Sequence, residues 1–468
     1  MTRGMKAEGR GLNAETGRHK VLVALIAAIF WLQPSSFCLA TNGAFRLTRH
    51  GDSVNGPQRV RDAPAGSCVQ CHDAAGADGK AQNNAAGLFA ANDNELCFTC
   101  HSGPGDIGSF PGRGLWSEST HARSASVYLS TSDDSNKCIN CHDPHGVKDS
   151  TGLIPAMLRK RDGDLCVSCH NGSRARIDIA SEYNKAYHHP FGPRGRHNPS
   201  EGKPGDFAAA VGNNRHSDCS DCHNAHRMDV NSALPSPPQA SSRLAGVSRV
   251  QVVNGGAGVA PNYTWRAADD PAAANEYEIC FKCHSSWTTQ PAGQSNLAIL
   301  TNPANPSYHP IQAAGKNARI DPRAFVNGMA ADSIISCTDC HSSDDRNIRG
   351  PHGSSYAHLL KKPSTTTTSL QPMTSDDICF DCHSYDVYGN GSSPAAVQGA
   401  SRFNTHVLHV AGQKIPCYDC HETHGSTRRP ALIAQRIPGI SSFTQNATGG
   451  TCVTTCHPAR FYSVAYAR

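Results

Sequence analysis

A short cysteine–histidine motif that occurs ten times constrains this chain more than any other feature of its sequence. Its clearest copy is Cys138-Ile139-Asn140-Cys141-His142, followed by a second histidine at His145. Eight further copies with the same spacing lie at Cys68–His72, Cys97–His101, Cys166–His170, Cys219–His223, Cys280–His284, Cys337–His341, Cys379–His383 and Cys417–His421. The tenth, Cys452–His457, has one extra residue between its cysteines. These motifs use 20 of the 21 cysteines, so the fold must present ten sets of two thiols and one imidazole.

The spacing Cys-x-x-Cys-His is typical of covalent haem attachment. The two thiols add to the two vinyl groups of one haem, and the adjacent histidine binds its iron. Zinc sites and disulfide frameworks explain the cysteines less well, because neither needs a histidine after every second cysteine. Thioredoxin-like dithiols need a βαβ context that is not visible in this sequence. The motif therefore predicts ten c-type haems per chain.

We number the motifs in chain order as sites 1 to 10. The predicted attaching cysteines are Cys68, Cys71, Cys97, Cys100, Cys138, Cys141, Cys166, Cys169, Cys219, Cys222, Cys280, Cys283, Cys337, Cys340, Cys379, Cys382, Cys417, Cys420, Cys452 and Cys456. The predicted proximal iron ligands are His72, His101, His142, His170, His223, His284, His341, His383, His421 and His457. No separate catalytic constellation is visible, and no catalytic residue is predicted.

An apolar run near the start of the chain indicates export. Val21–Leu32 follows the basic stretch Arg18-His19-Lys20 and precedes small residues up to Ala40, which is the order of a secretory signal. The run is shorter than the roughly 17–25 residues of a membrane-spanning helix, so no integral membrane segment is expected after cleavage. Cleavage after Ala40 would also remove Cys38, the cysteine outside the motifs. A lipoprotein signal acylated at Cys38 is the alternative, and the bulky Phe37 disfavours it.

The composition does not favour ordinary globular cores. Aromatic residues make up 6% of the 468 residues, and Gly and Pro number 42 and 29, so the chain has little apolar side chain to offset its conformational entropy. We expect haem to supply the missing apolar surface. The predicted fold is a mostly irregular coil with short α-helices wrapped around a stacked haem chain, with almost no β-structure. Such a chain should not fold without haem.

The charge argues against a nucleic-acid partner. The formal charge is +5, but residues 1–40 carry five basic and two acidic residues, so little positive charge remains after cleavage. Each haem adds propionate carboxylates, and the holoprotein should be acidic. Nucleic acid binding needs a basic surface.

The motifs come in pairs, which divide the chain into repeats. The second member of four pairs follows an acidic and a branched apolar residue, at Glu95-Leu96, Asp164-Leu165, Glu278-Ile279 and Asp377-Ile378. The first member tends to be followed by a second histidine and a glycine, as at His145-Gly146 and His424-Gly425, whereas His226 precedes Arg227. The predicted divisions are a signal peptide at 1–40 and dihaem units at 41–115, 116–180, 181–300, 301–395 and 396–468. Repeats of this kind imply a stacked, quasi-linear body.

Local structure between the motifs should be sparse. We expect each motif to begin or end a short helix that sets its cysteines and histidine on one haem edge. Pro190–Asn214, Lys361–Pro372 and Gly389–Pro394 are predicted loops. Unit 3 carries a long insert at about 227–277 with one predicted strand, Arg249–Val253.

This pattern resembles the paired (doubled) Cys-x-x-Cys-His family of multihaem cytochromes c, over about residues 50–457. That family includes periplasmic decahaem cytochromes that feed outer-membrane conduits and extracellular cytochromes of metal-reducing bacteria. The resemblance implies cross-ligation, in which a histidine beside one haem binds the iron of its neighbour. The chain departs from the pattern in three places. Unit 1 has Asp73-Ala74-Ala75 where the second histidine should be, unit 4 has that histidine displaced to His352, and unit 5 ends in the stretched motif.

Histidine supply nearly matches demand at the distal positions. Ten proximal histidines and His19 leave 14 of the 25 histidines, and the mature chain has four methionines, so bis-histidine iron of low potential is favoured. The predicted distal ligands are His50, His121, His145, His189, His216, His226, His309, His352, His409 and His424, with His188, His197, His358 and His406 as alternates. Unit 1 lacks a downstream histidine, so one of its haems must take a ligand from elsewhere or keep an open iron position, and we expect the former. His197 and His216 are candidate donors.

The predicted function is electron transfer along the haems between redox partners in the cell envelope. The partners expected are other redox proteins, including an outer-membrane porin conduit. The alternative is a multihaem reductase of a small anion or of a metal or sulfur compound, which would need an open iron position. A static haem store is disfavoured, since bis-histidine ligation would serve no purpose in it. The sequence leaves open the periplasm or the outer face of a Gram-negative cell, and also a filament or oligomer.

Overall fold

The computed structural model describes residues 44–72, 87–101, 113–125, 137–189, 217–268, 270–288, 290, 293–368, 370–434 and 440–464. All ten motifs lie within these ranges. The predicted signal segment, the predicted loop at 190–214, the predicted distal ligand His216 and the alternate His197 lie outside the described residues.

Helices in the described ranges are short. The α-helices are α1 Asn94–Phe98, α2 Arg113–Glu118, α3 Thr120–Arg123, α4 Cys138–Cys141, α5 Gly163–Val167, α6 Cys219–Cys222, α7 Glu276–His284, α8 Leu297–Leu300, α9 Tyr385–Tyr388 and α10 Ala395–Gln398. Single 3₁₀ turns lie at Phe45–Leu47, Cys68–Gln70, Pro155–Met157, Ala180–Asn184, Ser242–Leu244, Pro322–Ala324, Cys337–Asp339, Ala357–Leu359, Ile378–Asp381 and Cys417–Asp419, and a π-helical turn at Leu408–Gly412. Across the described ranges, no helix has the length and apolar character needed to cross a membrane.

The strands form small antiparallel sheets. They are β1 Lys148–Asp149, β2 Gly152–Leu153, β3 Tyr187–His188, β4 Arg249–Val253, β5 Asn262–Arg266, β6 Ser307–Tyr308, β7 Gly353–Ser354, β8 Gly425–Ser426, β9 Ile440–Gln445, β10 Gly449–Thr454 and β11 Arg460–Ser463. β1 pairs with β2, β3 with β7, β4 with β5 and β6 with β8, while β10 lies between β9 and β11. The predicted strand Arg249–Val253 is confirmed with the same bounds.

The β-structure exceeds the sequence expectation of almost none. The two larger sheets are the β4–β5 hairpin in the unit 3 insert and the β9–β10–β11 sheet around the last motif. In the hairpin, β4 begins with the buried residues Arg249 and Val250 and β5 mixes exposed with half-buried residues, and the hairpin packs on α7, the helix of site 6. Polar and β-branched residues in these segments suit a half-buried strand. Sequence reasoning missed most of the other strands because two-residue ladders have no periodicity to detect.

The apolar cores are small. One cluster joins Tyr277, Phe281, Ala298 and Ile311. A second joins Ala324, Val387 and Ala400, and a third joins Met373, Phe380 and Val410. Each has three or four buried members, fewer than the six to twelve neighbours of one ordinary core residue. Wrapping of the chain around haem remains a proposal, and these clusters are consistent with it.

The chain divides into two compact bodies. The first comprises Met1–Cys97 with Ser135–Arg161, and the second comprises Phe98–Asp134 with Asp162–Arg468. Both bodies are built from discontinuous stretches, since the chain leaves the first after Cys97 and returns to it at Ser135. The division into five dihaem units stays a prediction.

Candidate metal centres

Nine motifs form a single helical turn. Five lie in α-helices and four in 3₁₀ turns. In seven of them the histidine N–H donates to the carbonyl of the first cysteine at 2.8–3.0 Å, as His142 does to Cys138. Residues three and four apart share one face of a helix. Both thiols and the imidazole of each motif therefore face the same side, which is the arrangement that attachment to one haem edge requires.

The tenth motif has a different backbone. Cys452 lies in the middle strand β10, paired with Phe443 of β9 and Arg460 of β11, while Cys456 and His457 follow the end of that strand. The extra residue places His457 five residues after Cys452, one position beyond those that share a helix face with the first cysteine. An extended segment replaces the turn. This is the one motif for which the expected helix is absent among the described residues.

A left-handed dipeptide holds the proximal histidine at sites 3, 7 and 9. The pairs are Ala156-Met157, His358-Leu359 and Ala431-Leu432, with φ between 53° and 62°. The carbonyl of the first member accepts from the Nδ1 atom of the proximal histidine: Ala156 from His142 at 3.0 Å, His358 from His341 at 2.7 Å and Ala431 from His421 at 2.9 Å. Non-glycine residues adopt this conformation rarely, and it is often found at functional sites.

The same dipeptide is tied to the motif on both sides of the histidine. At site 3, the Asp143 N–H donates to the Met157 carbonyl at 2.7 Å, and the Arg159 N–H donates to the Cys141 carbonyl at 2.8 Å. Equivalent bonds occur at sites 7 and 9. We call this arrangement the proximal clip. It fixes the imidazole ring through backbone atoms alone.

The proximal clip has a sequence signal that was not recognised. Pro155-Ala156-Met157-Leu158 and Pro430-Ala431-Leu432-Ile433 are two versions of one tetrapeptide, and Ala357-His358-Leu359-Leu360 is a third. The last residue of each forms an isolated β-bridge with the proximal histidine. His358 was an alternate distal candidate. The structure instead uses its backbone carbonyl to orient His341.

Three distal candidates share a second backbone contact. The Nδ1 atom of His121 donates to Ala225 O at 3.1 Å, that of His189 to Pro351 O at 2.7 Å and that of His309 to Thr423 O at 2.5 Å. Each acceptor is the residue immediately before another distal candidate, namely His226, His352 or His424. A carbonyl can only accept, so Nδ1 carries the proton and the Nε2 lone pair is left for a metal.

Two short ladders explain this repeated contact. β3 pairs with β7, which brings His188 opposite Gly353, and β6 pairs with β8, which brings Tyr308 opposite Gly425. Each ladder therefore sets one distal candidate beside another, His189 beside His352 and His309 beside His424. A Cβ atom on Gly353 would overlap Glu182 O, and one on Gly425 would overlap Leu300 O. The close approach explains the glycine that follows these histidines.

The structure places seven proximal histidines opposite a second histidine. The pairs and their ring-centre separations are His72–His145 at 5.9 Å, His170–His121 at 6.1 Å, His284–His189 at 6.3 Å, His223–His352 at 6.1 Å, His341–His424 at 6.0 Å, His421–His406 at 6.2 Å and His457–His409 at 6.5 Å. A histidine nitrogen binds a metal at about 2 Å, so two rings on opposite sides of one ion have centres roughly 6 Å apart. The spacing fits one iron between each pair.

Burial favours the neutral imidazole at three of the site histidines. Burial, followed by the neighbouring His223, lowers the pKa of His352 to about 3, and burial followed by His421 lowers the pKa of His406 to about 3. Burial and then His309 lower the pKa of His383 to about 4. A metal ligand must be the neutral imidazole. In all three cases the largest cause after burial is a second histidine from the predicted iron-ligand sets.

The predicted residues fall into distinct groups. Of the predicted distal set, His121, His145, His189, His352, His409 and His424 face a proximal ring. His309 contributes to the lowered pKa of His383, and His226 contacts Trp116 with ring centres 5.7 Å apart. His406 was an alternate, yet it faces His421. His188 contacts Tyr183. For unit 1, the histidine facing His72 is His145, which follows the first motif of unit 2, whereas His197 and His216 had been suggested as donors.

Neighbouring motifs also meet through their first cysteines. The thiol of Cys97 contacts that of Cys138, and contact with Cys97 together with burial raises the pKa of Cys138. The same relationship joins Cys166 with Cys219, Cys280 with Cys337 and Cys379 with Cys417. All twenty described cysteines are free, so none of these contacts is a disulfide. Each contact links the second motif of one predicted unit to the first motif of the next.

Haem fits these sites better than a bare metal ion does. The described residues contain no group of three or more His, Cys, Asp or Glu side chains that could hold a metal ion. Two imidazoles per site suffice for haem, because the porphyrin supplies the other ligands. Several buried donors also lack an acceptor among the described residues: Arg243 Nη1, Arg402 Nη1 and Trp287 Nε1. Buried donors require a partner, and haem propionates would provide one.

Comparison with known proteins adds one match. A family model described as the doubled CXXCH motif matches residues 62–105, 133–175 and 329–387. These stretches contain sites 1 and 2, sites 3 and 4, and sites 7 and 8. The unmatched pairs are the one with the long insert and the one with the stretched motif. No curated protein and no solved structure matches the chain.

Proposed function

We propose that this chain, which matches the doubled CXXCH motif over three stretches, is a multihaem c-type cytochrome of electron transfer that carries ten haems as a bis-histidine electron carrier. The observation that carries this proposal is the set of seven facing histidine pairs with ring centres 5.9–6.5 Å apart. Haem iron held by two histidines exchanges single electrons at low potential.

The side chains of this protein support a carrier in three ways. The paired imidazoles occupy both axial positions, so substrate has no iron position to enter at those sites. Backbone carbonyls hold the Nδ1 proton and fix each ring, as Ala156 does for His142. A fixed ligand set lowers the structural change that accompanies each change of charge. These features favour electron transfer over catalysis on a bound substrate.

Close spacing of the attachment points supports transfer between sites. The first cysteines of sites 2 and 3, 4 and 5, 6 and 7, and 8 and 9 are in contact. Each cysteine would be bonded to the edge of its own haem. Contact between the sulfurs therefore places the edges of two neighbouring haems next to one another, and electron transfer requires such proximity.

We extend the proposal to location and partners. Covalent haem attachment and the predicted signal segment at 21–32 support export to the cell envelope of a Gram-negative bacterium. The partners would be other redox proteins, among them an outer-membrane porin conduit. The alternative function is reduction of a small anion or of a metal or sulfur compound, at a site whose iron keeps an open position.

Film voltammetry on the purified holoprotein tests the proposal. Intact mass should first show ten haems per chain. The film should then take up and release ten electrons reversibly, and nitrite or a sulfur oxyanion should leave the current unchanged. A catalytic current with either substrate would replace the carrier by a reductase, and a count of eight haems or fewer would refute the decahaem assignment.

A further inference from the structure

The distal ligands follow a regular order along the chain. At sites 1, 5 and 7, which are first members of their pairs, the facing histidine lies just after the first motif of the next pair. These are His145 for His72, His352 for His223 and His424 for His341. Each of these first-member sites thus faces a histidine of the following unit, an order that we call the backward rule.

Second members obey a different rule. At sites 4, 6 and 10 the facing histidine lies upstream of the first motif of the same pair. These are His121 for His170, His189 for His284 and His409 for His457. The equivalent backbone contact of His309, on Thr423 O, is consistent with the same rule at site 8.

The backward rule does not describe units 1 and 5. Unit 1 has Asp73-Ala74-Ala75 where the other units have a histidine downstream of their first motif. At site 9 the facing histidine lies upstream of the motif rather than downstream. The ring that faces His421 is His406, which obeys neither rule.

His406 is built into its position. Its ring is buried, and its Nδ1 atom lies 2.6 Å from Ser401 Oγ and 3.1 Å from the Phe403 carbonyl. The ring centre is 6.2 Å from that of His421, and the planes are 21° apart. His409 follows three residues later and faces His457, so one short segment presents ligands to sites 9 and 10.

We propose that His406 is the distal ligand of site 9, so that this ligand comes from the same chain and not from a second copy. This inference rests on the proposed function, since it assumes bis-histidine haem at site 9. It has a consequence for assembly. A chain that supplies its own ligand at site 9 needs no histidine from a second copy at that site.

The test compares His406→Ala with His188→Ala in the full-length holoprotein. His188 is a matched control, because it was also an alternate ligand and contacts Tyr183 rather than a proximal ring. Intact mass and electron paramagnetic resonance are recorded for each, and carbon monoxide binding is measured after reduction. His406→Ala should add one high-spin ferric haem and one carbon monoxide per chain, and added imidazole should restore the low-spin signal. His188→Ala should match the wild type.

A second variant keeps the proposal testable where His406→Ala loses haem or fails to fold. His406→Met retains a ligand, and its thioether should give one haem a new sulfur-to-iron absorption in the red and a raised potential. Folded His406→Met with neither change would overturn the assignment, as would His406→Ala with all haems low-spin.

Two further outcomes distinguish a failure of the His406 assignment from a failure of the proposed function. Wild-type protein with few haems, or with many high-spin haems, would refute the proposed function itself. Wild-type protein that is fully low-spin but gains one high-spin haem on dilution would show that a second copy supplies the ligand. That result would contradict a ligand from the same chain at site 9, but it would leave the bis-histidine haem of the proposed function in place.

Discussion

The imidazole rings of His72 and His145 lie nearly parallel, 15° apart, with their centres separated by 5.9 Å. The two residues belong to different motifs, and His145 is three residues beyond the proximal ligand of its own motif. The first pair of motifs lacks a downstream histidine, and under the proposed function this contact would supply the distal ligand of site 1. A histidine cannot easily reach around its own haem, so it serves the neighbour.

Replacing His145 by alanine should therefore affect site 1 rather than site 3. We expect one additional high-spin haem per chain by electron paramagnetic resonance, with nine haems unchanged. His358→Ala is the control, because that residue acts on His341 through its backbone carbonyl, which alanine retains. A His145→Ala protein that stays fully low-spin would contradict the pairing.

His50 provides an independent test of the first unit. It is the only histidine between the predicted cleavage point and Cys68. His50→Ala should create one high-spin haem in unit 1 and leave the other nine unchanged. The double variant with His145→Ala should show two, counted by carbon monoxide uptake after reduction. Uptake by the wild-type protein at one haem per chain would mean that unit 1 already has an open iron.

Ring orientation should separate sites in the resonance spectrum. The rings of His121 and His170 are nearly perpendicular, at 84°, whereas those of His341 and His424 are 10° apart. Perpendicular imidazoles give low-spin ferric haem a strongly axial signal at larger g than parallel ones do. We expect such a signal in the wild type. It should weaken in His121→Ala and persist in His424→Ala, and the reverse result would contradict the site geometry.

Gly425→Ala should destabilise the ladder that positions His424. A Cβ atom there would overlap the Leu300 carbonyl, and overpacking of this kind costs about 1–3 kcal/mol. The melting temperature should fall, and part of the site 7 haem should become high-spin. Gly315→Ala is the control, since its Cβ would lie 3.7 Å from Ala331 O, an ordinary contact. Equal melting temperatures for the two variants would contradict the packing argument.

Arg249 joins the unit 3 hairpin to the helix of site 6. Its Nε atom lies 3.3 Å from Glu278 Oε2, and the two side chains are 4% and 5% exposed. Removing one partner of a buried ion pair leaves an unpaired charge and costs about 3–5 kcal/mol. Arg249→Met should thus lower the melting temperature strongly. Arg323→Met, which breaks an exposed pair with Asp321, should change it little.

Glu278 shows a structural role for the acidic residue that precedes several second motifs. The acidic residue that precedes several second motifs was recognised only as a repeat marker. In site 6, Glu278 accepts from the Asn275 N–H at 3.2 Å in a capping box at the start of α7. In site 8, Asp377 accepts from the Cys379 N–H at 3.1 Å. The acid caps the turn that carries the cysteines, where the free N–H groups of a helix end need acceptors.

The sequence by itself determined the local parts of this protein. The spacing of two cysteines and a histidine fits one helical turn, as at Cys138–Cys141, because residues three and four apart share a face. The strand Arg249–Val253 was also predictable from a short β-branched run. The stretched motif was visible as an exception in the sequence, whereas its place on β10 is known only from the structure.

The tertiary structure decided which histidines meet. His406 and His409 look equivalent in the sequence, yet one faces His421 and the other His457. The role of the His358 carbonyl likewise depends on tertiary structure, since its left-handed backbone lies against the motif of site 7, farther back in the chain. Local spacing determines what one helical turn can present, whereas ligand pairing depends on long-range ladders such as β6–β8, whose two-residue strands leave no periodic trace.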